Sequence, residues 1–400
     1  MKAQCFYDRL KDMKVLYIAS GDSKYGAPKA LMNMLLHMKE YCDVEPVLLT
    51  KKRNRLNEMC DEHQIENYSC WYCDFMCGSP YTFWPMKAAK HMVKYLLYLY
   101  GSVCRRSVLK TGIDFEQIDI IHTNHNRIAI GAYISRKYKK PHVWHIREFG
   151  IEDYHVSFYR PGTISYMNKS ADAFITISDA VKTCWVKKGL NAQKTLTVYD
   201  GLEVETIHTP SASGSLGPGL RLVIVGHIQE SKGQLQLVNA VAFLPEEIRK
   251  NIYVDIIGEG YQEYISKIKK VVHKNKYMNI HFLGYCDHVS QILPKYDVGV
   301  MCSQSEGYGL VTVEYMLAGL IVIASDTGAN PELLRKAGCG MLYKYGDTRS
   351  LADCIRSIYE NKEQYRKCSV PTQEFSIKES VERIFQIYQK ILENKELGLP

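Results

Sequence analysis

At 400 residues the chain is longer than one ordinary hydrophobic core accommodates, which favours two domains of roughly 200 residues each. Hydrophobic residues at 46% and charged residues at 24% exclude a disordered or fibrous polymer. A formal charge of +8 asks for an anionic partner, whether a phosphorylated substrate, an acidic membrane face or nucleic acid.

Taken in chain order, the opening segment MKAQCFYDRLKDMK interrupts with charges the apolar run that a signal peptide needs. No later stretch stays apolar long enough to span a bilayer, so a cytoplasmic protein is expected. The thirteen cysteines agree: odd in number, scattered and set in apolar runs, as at Cys184, Cys286 and Cys302, they read as reduced core thiols. Short apolar runs then alternate with helical patterns, the signature of βαβ units and a parallel sheet. Strands are predicted at 15–19, 47–49, 118–122, 142–146, 174–177 and 196–199.

Between the second and third of these lie KKRNR, the cluster CWYCDFMC and a long helical stretch. Lys87, Lys90 and Lys94 recur at i, i+3 and i+7, with Ala89, Val93, Leu96 and Leu97 on other faces. That basic amphipathic helix suits either peripheral contact with the inner face of an anionic membrane or packing on its own domain with a solvated lysine face. Cys70, Cys73 and Cys77 have ligand-like spacing, but a zinc site needs a fourth ligand, for which His63 is the nearest, and no metal site is assigned.

The stretch TPSASGSLGPGL at 209–220 crowds Pro, Ser and Gly where no apolar period survives, and reads as a linker. A second strand series follows at 222–225, 254–257, 280–283, 298–301 and 321–324. Two doubly wound domains are implied, with ligands beyond the carboxyl ends of the strands and the active site in the cleft between domains. At the end of the chain Ser376 precedes Glu379 by three residues, and Val381, Ile384, Ile387, Tyr388 and Ile391 share one face, which predicts a capped amphipathic helix.

The chemistry concentrates in SQSEGYGLVTVEYMLAG, 303–319. Gly307 and Gly309 flank Tyr308 and break a continuous helix, leaving Glu306 on a loop and Glu314 in the second turn of a helix that begins near Leu310. The N–H groups of Gly309, Leu310 and Val311 then open a helix, a ready site for pyrophosphate. Glu314 can accept from both ribose hydroxyls and Glu306 from a sugar hydroxyl. Two acids on a solvated helix face are the plainer alternative.

This segment resembles the E-x7-E motif of the retaining glycosyltransferases of family 4, the glycosyl transferases group 1, which have the GT-B fold. The resemblance implies that Glu314 binds the nucleotide ribose and that Glu306 lies against the transferred sugar. It extends through AGLIVIASDTGANPE, with Gly328 and Glu332, and through VGHIQESKGQ at 225–234. There Lys232 is implied to meet the diphosphate. His227 replaces the usual Arg, so its charge is expected to depend on pH near neutrality. In DIIGEG, Gly258 and Gly260 mark a close backbone approach to the nucleotide, and Tyr285 is placed near the base or in a simple turn. In the first half, Gly26 and Ala27 open a helix in the position of the family's glycine loop, with Pro28 where the family has an acid. They serve the donor phosphates, the acceptor pocket or only the turn. His145 in PHVWHIREFG is implied to touch the donor sugar, with Arg147 and Glu148 just beyond it.

The expected architecture is thus α/β: two Rossmann-like domains of the GT-B type, at 1–207 and 208–375, facing across a cleft, with a helix at 376–400 crossing back to the first. The expected activity is retaining, metal-independent transfer of a hexose from a nucleoside diphosphate sugar, UDP-sugars favoured, to a hydroxyl of a glycan or polyprenyl-linked acceptor in cell-surface or capsular polysaccharide synthesis. Glu306, His145 and Lys232 are the catalytic candidates, and the sugar nucleotide is a co-substrate, with no cofactor. A non-catalytic nucleotide-sugar or glycan binding subunit, a phosphorylase and a sugar-nucleotide epimerase on the same scaffold are the alternatives. No recognition helix, zinc finger or stacking platform supports nucleic-acid binding.

Overall fold

A computed structural model describes residues 13–20, 26–74, 76–78, 84–150, 152, 156–158, 162–204, 219–362, 364–365 and 372–397. Most of the expected linker, 209–218, lies outside the described residues. The chain divides into two units: Met1–Gly201 with Ile377–Pro400, and Leu202–Ser376.

Unit 1 is built on strands β1 (Met13–Ala19), β2 (Val44–Thr50), β3 (Glu66–Ser69), β5 (Ile120–Thr123), β6 (His142–Ile146), β8 (Ala173–Thr176) and β9 (Thr195–Thr197). They form one parallel sheet in the order β3-β2-β1-β5-β6-β8-β9. Two short strands, β4 (Met76–Gly78) and β7 (Val156–Phe158), pair antiparallel beside it. The apolar runs that predict β1, β2, β5, β6 and β8 are buried on both faces, as parallel strands covered by helices must be. β3 escapes a reading by apolar runs because it is an edge strand of sequence ENYS whose residues are only partly buried.

Unit 2 repeats the plan with β10 (Leu220–Val225), β11 (Ile252–Ile257), β12 (Ile280–Gly284), β13 (Val298–Met301), β14 (Ile321–Ser325) and β15 (Met341–Tyr343). The sheet runs β12-β11-β10-β13-β14-β15, again parallel. Each sheet therefore reverses its winding once, beside β1 in unit 1 and beside β10 in unit 2. At such a switch point the loops leaving two neighbouring strands diverge and open a crevice.

The last helix, Ile377–Glu396, belongs to unit 1. Its Val381, Ile384, Ile387 and Tyr388 are buried in one core with Val15 and Tyr17 of β1, Leu35 of the helix Gly26–Cys42 and Ile175 of β8. Ser380 Oγ donates to the Tyr199 carbonyl at 2.8 Å, which fastens the start of this helix to the end of the preceding unit 1 segment. Eight described cysteines are free, but Cys339 is disulfide-bonded, a correction to the reduced state expected throughout.

In unit 2 the helix Leu310–Leu317 is keyed to the sheet by one side chain. Tyr315 is fully buried and its hydroxyl accepts the Val225 N–H at 2.7 Å, at the end of β10. Its ring fits because β13 carries Gly299, where an added Cβ meets the Tyr315 Cγ at 2.3 Å. Gly299→Ala is accordingly expected to lose about 1–3 kcal/mol by overpacking. A urea midpoint unchanged from the parent protein is the contrary result.

Candidate functional site

The switch point of unit 2 decides which residues meet. β10 and β13 are hydrogen-bonded neighbours, with Leu222 opposite Val298, so the loops that follow them emerge side by side. The loop after β10 first pairs with the loop after β11. Ile228 N–H donates to Glu259 O at 2.8 Å, and Tyr261 N–H donates to Ile228 O at 3.0 Å. A Cβ on Gly258 would stand 2.0 Å from Gly226 O, and one on Gly260 would stand 2.0 Å from Ile228 O. The close approach that these glycines permit is thus between two loops of the protein, and the Gly258 N–H already donates to Gly284 O at 2.7 Å. Tyr285, the residue after β12, is more than half exposed beside that bond.

The same loop continues into a single 3-10 turn, Glu230–Lys232, closed by Gly233 in the left-handed conformation. Gly233 lets it press on the loop after β13: a Cβ there would lie 2.2 Å from Cys302 O. The Gln304 N–H donates to Ser231 O at 2.8 Å. From the opposite side Gly328, at φ +60°, packs where a Cβ would be 2.4 Å from Glu306 O, and the Ala329 N–H donates to that same oxygen at 2.8 Å. With its backbone gripped in this way, Glu306 turns its carboxylate onto Lys232, and Oε2 lies 2.7 Å from Nζ. Both side chains remain partly open to solvent.

Gly309, at φ +93°, opens the helix Leu310–Leu317 and no side chain caps it. Leu310 and Val311 are half-buried in its first turn, Glu314 is half-buried in the second, and Tyr308 is buried. Gly307 lies half-buried in the same loop. Beneath them runs a polar network that apolar periodicity does not reveal. Thr312 Oγ1 donates to Asn330 Oδ1 (3.2 Å), Asn330 Nδ2 to Ser325 Oγ (3.2 Å), and Ser325 Oγ to Ser303 O (2.7 Å). Ser303, Thr312, Ser325 and Asn330 are fully buried. Fully satisfied networks of this kind fix one geometry, because any alternative strands a buried polar atom. The one signal in the sequence is polar residues at the ends of apolar strands.

His227 sits edge-on to the Tyr261 ring at 5.2 Å, and its carbonyl accepts from Gln234 Nε2 at 3.0 Å. Burial and the neighbouring Lys232 charge hold its pKa below the ordinary value, against a partial rise from Glu259. Relative to a free imidazole, the charged form of this ring is therefore disfavoured.

In unit 1 the helix Gly26–Cys42 starts at Gly26, and the side-chain surroundings of Gly26 and Ala27 lie outside what is described. His145 is not on the surface. It is the penultimate residue of β6 and 1% exposed, with Nδ1 3.2 Å from His122 Nε2. Its own Nε2 has no hydrogen-bond partner among the described residues. Next to it Arg147 pairs with Asp200, and Arg127 Nε donates to the Glu148 carboxylate at 2.9 Å. Burial nonetheless raises the pKa of Glu148. His122 and Arg127 are additions that spacing in the sequence does not mark.

The basic helix exists as Trp84–Cys104. Lys87 and Lys94 are exposed, as expected, but so are apolar residues: Trp84, Met92, Val93, Leu96 and Tyr100 are each more than half exposed. Among the described residues no helix is long and apolar enough to cross a membrane, and no cluster of three or more His, Cys, Asp or Glu could hold a metal ion.

Two family models match the chain, Glycosyltransferase Family 4 over residues 87–206 and Glycosyl transferases group 1 over residues 212–374. EpsD of Bacillus subtilis, which carries the name of a glycosyltransferase, is 29% identical over 181 residues, covering 43% of this chain and 46% of the relative. The chain thus aligns with about half the length of that relative. An uncharacterised glycosyltransferase of Methanocaldococcus jannaschii is 25% identical over 305 residues, 75% of this chain and 81% of the relative. Among solved structures, HepE of Anabaena in complex with UDP superposes with a TM-score of 0.70 at 19% identity, over 96% of this chain and 98% of that one. A further HepE structure holds UDP-glucose, with a TM-score of 0.67 over 97% and 100% of the two chains. With a glycosyltransferase model on each half and two parallel Rossmann-like sheets matching GT-B structures throughout, the chain belongs to the group 1, family 4 glycosyltransferases.

Proposed function

We propose that this glycosyltransferase is an enzyme that moves a hexose from a UDP-sugar to a hydroxyl, with retention at the anomeric carbon. The observation that carries the reading is the Lys232–Glu306 pair at the switch point of unit 2, beside the uncapped helix that bears Glu314. A sugar diphosphate bound there brings two requirements. The leaving diphosphate gathers negative charge as the glycosidic bond breaks, and the ammonium of Lys232 with the first N–H groups of the Leu310 helix stabilise that charge more strongly in the transition state than in the ground state. Diphosphate competes with Glu306 for Lys232, and the released carboxylate can then accept from a sugar hydroxyl while Glu314 accepts from the ribose.

Neutralisation by an ammonium and backbone dipoles makes the reading metal-independent, with no cofactor beyond the donor. Retention, by front-face attack with the departing phosphate assisting deprotonation of the acceptor, is supported by the family resemblance. UDP as the nucleotide is supported by the HepE complexes. In unit 1, the Nε2 of His145, near the carboxyl end of β6 and without a partner among the described residues, supports a ligand-facing role there.

The acceptor reading is a glycan or polyprenyl-linked hydroxyl in cell-surface polysaccharide synthesis, met at an anionic membrane face. Its support is the helix Trp84–Cys104, which combines exposed lysines with exposed aromatic and aliphatic side chains. Lysines attract anionic headgroups while the apolar groups insert at the acyl boundary.

Four outcomes follow. UDP raises the thermal midpoint while GDP and ADP at equal concentration do not, and selectivity for GDP removes the UDP assignment. Lys232→Ala weakens UDP binding about 10- to 100-fold by calorimetry, the loss of a charge-assisted contact. Glu306→Gln binds UDP at least as well as the parent protein, because the competitor for Lys232 is gone, yet slows UDP release from the sugar donor by about 10²–10³. Equal loss of binding and turnover in Glu306→Gln contradicts the division of roles. Finally, the protein co-sediments with phosphatidylglycerol vesicles but not phosphatidylcholine vesicles, and replacing Lys87, Lys90 and Lys94 by Glu abolishes this. Vesicle binding that survives the triple change contradicts the docking face.

A further inference from the structure

Three strands and the final helix of unit 1 bring four polar side chains into contact. Tyr17 of β1, His122 of β5, His145 of β6 and Tyr388 of the C-terminal helix are all at most 1% exposed. Tyr388 Oη donates to Tyr17 Oη at 3.4 Å, His122 Nδ1 lies 2.6 Å from Tyr388 Oη, and His122 Nε2 lies 3.2 Å from His145 Nδ1. Burial first, then the nearby Arg147 charge, keeps both imidazoles neutral: the pKa of His122 is pushed down to about 3 and that of His145 well below its ordinary value.

One placement of protons satisfies all three contacts. A phenol has a single proton, and that of Tyr388 is given to Tyr17, so toward His122 the Tyr388 oxygen can only accept, and His122 carries its proton on Nδ1. A neutral imidazole holds one N–H, which leaves His122 Nε2 a lone pair that accepts from the Nδ1–H of His145. The proton of His145 is thereby used, and its own Nε2 is a lone pair as well. That nitrogen has no partner among the described residues and stands one residue from the carboxyl end of β6, the edge of a doubly wound sheet at which ligands bind. A neutral nitrogen of this kind can take the hydrogen of a hydroxyl. It has nothing to give a phosphate, carboxylate or carbonyl oxygen, whose lone pairs would face its own.

We propose that Tyr17, Tyr388 and His122 are positioning residues that fix His145 as its Nδ1–H tautomer, so that its Nε2 selects a substrate with a hydroxyl at that point over one with a deoxy position, a carboxylate or a phosphate. The proposal rests on the UDP-sugar reading above and on substrate reaching the carboxyl end of β6.

The test begins with the free parent protein, labelled with ¹⁵N-histidine, with the His122 and His145 signals assigned through His122→Gln and His145→Gln. Both rings are expected to be protonated on Nδ1, and a proton on Nε2 of either ring overturns the relay. Tyr17→Phe removes the acceptor of the Tyr388 proton, which can then turn to His122, so both rings are expected to shift to the Nε2–H form. Tautomers that stay as they are in this variant overturn the positioning roles. Calorimetry then compares UDP-glucose with the analogues in which each sugar hydroxyl in turn is replaced by fluorine, which keeps an acceptor but has no hydrogen to give. At the position that meets His145 the parent is expected to lose about tenfold or more in affinity, a loss that disappears in Tyr17→Phe while losses at other positions remain. A pattern of losses identical in the two proteins overturns the selection by His145. Failure of UDP-glucose itself to bind overturns instead the UDP-sugar reading, a result separate from the tautomer measurement.

Discussion

The contact on which the rest depends is the ion pair between Lys232 and Glu306, two residues 74 positions apart that meet because β10 and β13 are neighbours at the point where the sheet reverses its winding. Neither side chain is placed by its own helix or strand. Lys232 stands on one 3-10 turn and Glu306 on a loop, and both loops are held by glycines whose missing Cβ atoms let one backbone press on another. In the free protein the carboxylate satisfies the ammonium. A charge pair with partial solvent access is modest in energy, which leaves the lysine available to a more highly charged partner.

Each unit supports its site with a buried polar network. In unit 2 the chain Thr312–Asn330–Ser325–Ser303 ties the Leu310 helix to the ends of β13 and β14. In unit 1 the chain from Tyr388 through His122 to His145 ties the last helix to the ends of β5 and β6. Low local dielectric strengthens such bonds and penalises their loss, so the networks act as rigid bases for the residues above them. They differ in one respect: the network in unit 2 closes on a backbone carbonyl, whereas that in unit 1 ends on a nitrogen of His145 that has no partner among the described residues.

The helices of unit 1 differ in what they bury. Its sheet is covered by the Gly26 and Ile377 helices, whose apolar faces are buried in a common core. The Trp84 helix follows the opposite rule and leaves tryptophan, methionine, valine, leucine and tyrosine in solvent beside its lysines. Exposed apolar groups in one helix, rather than singly, mark a surface that serves something other than its own core.

The sequence by itself determined the two doubly wound units, because apolar runs of strand length alternating with helical periodicity have few other solutions, and it determined the family through the Glu306–Glu314 spacing and its Gly-Tyr-Gly turn. It also marked Lys232 and the terminal helix, since local pattern is sufficient for both. Only the tertiary structure decided that Lys232 meets Glu306, that Gly258 and Gly260 serve a loop-to-loop approach, that the surroundings of His227 lower its pKa, and that His145 lies buried in hydrogen-bond distance of His122, which in turn meets Tyr388. The reason is physical: periodicity reports which face of an element is buried, whereas pairing, proton position and pKa depend on which distant elements the strand order makes neighbours.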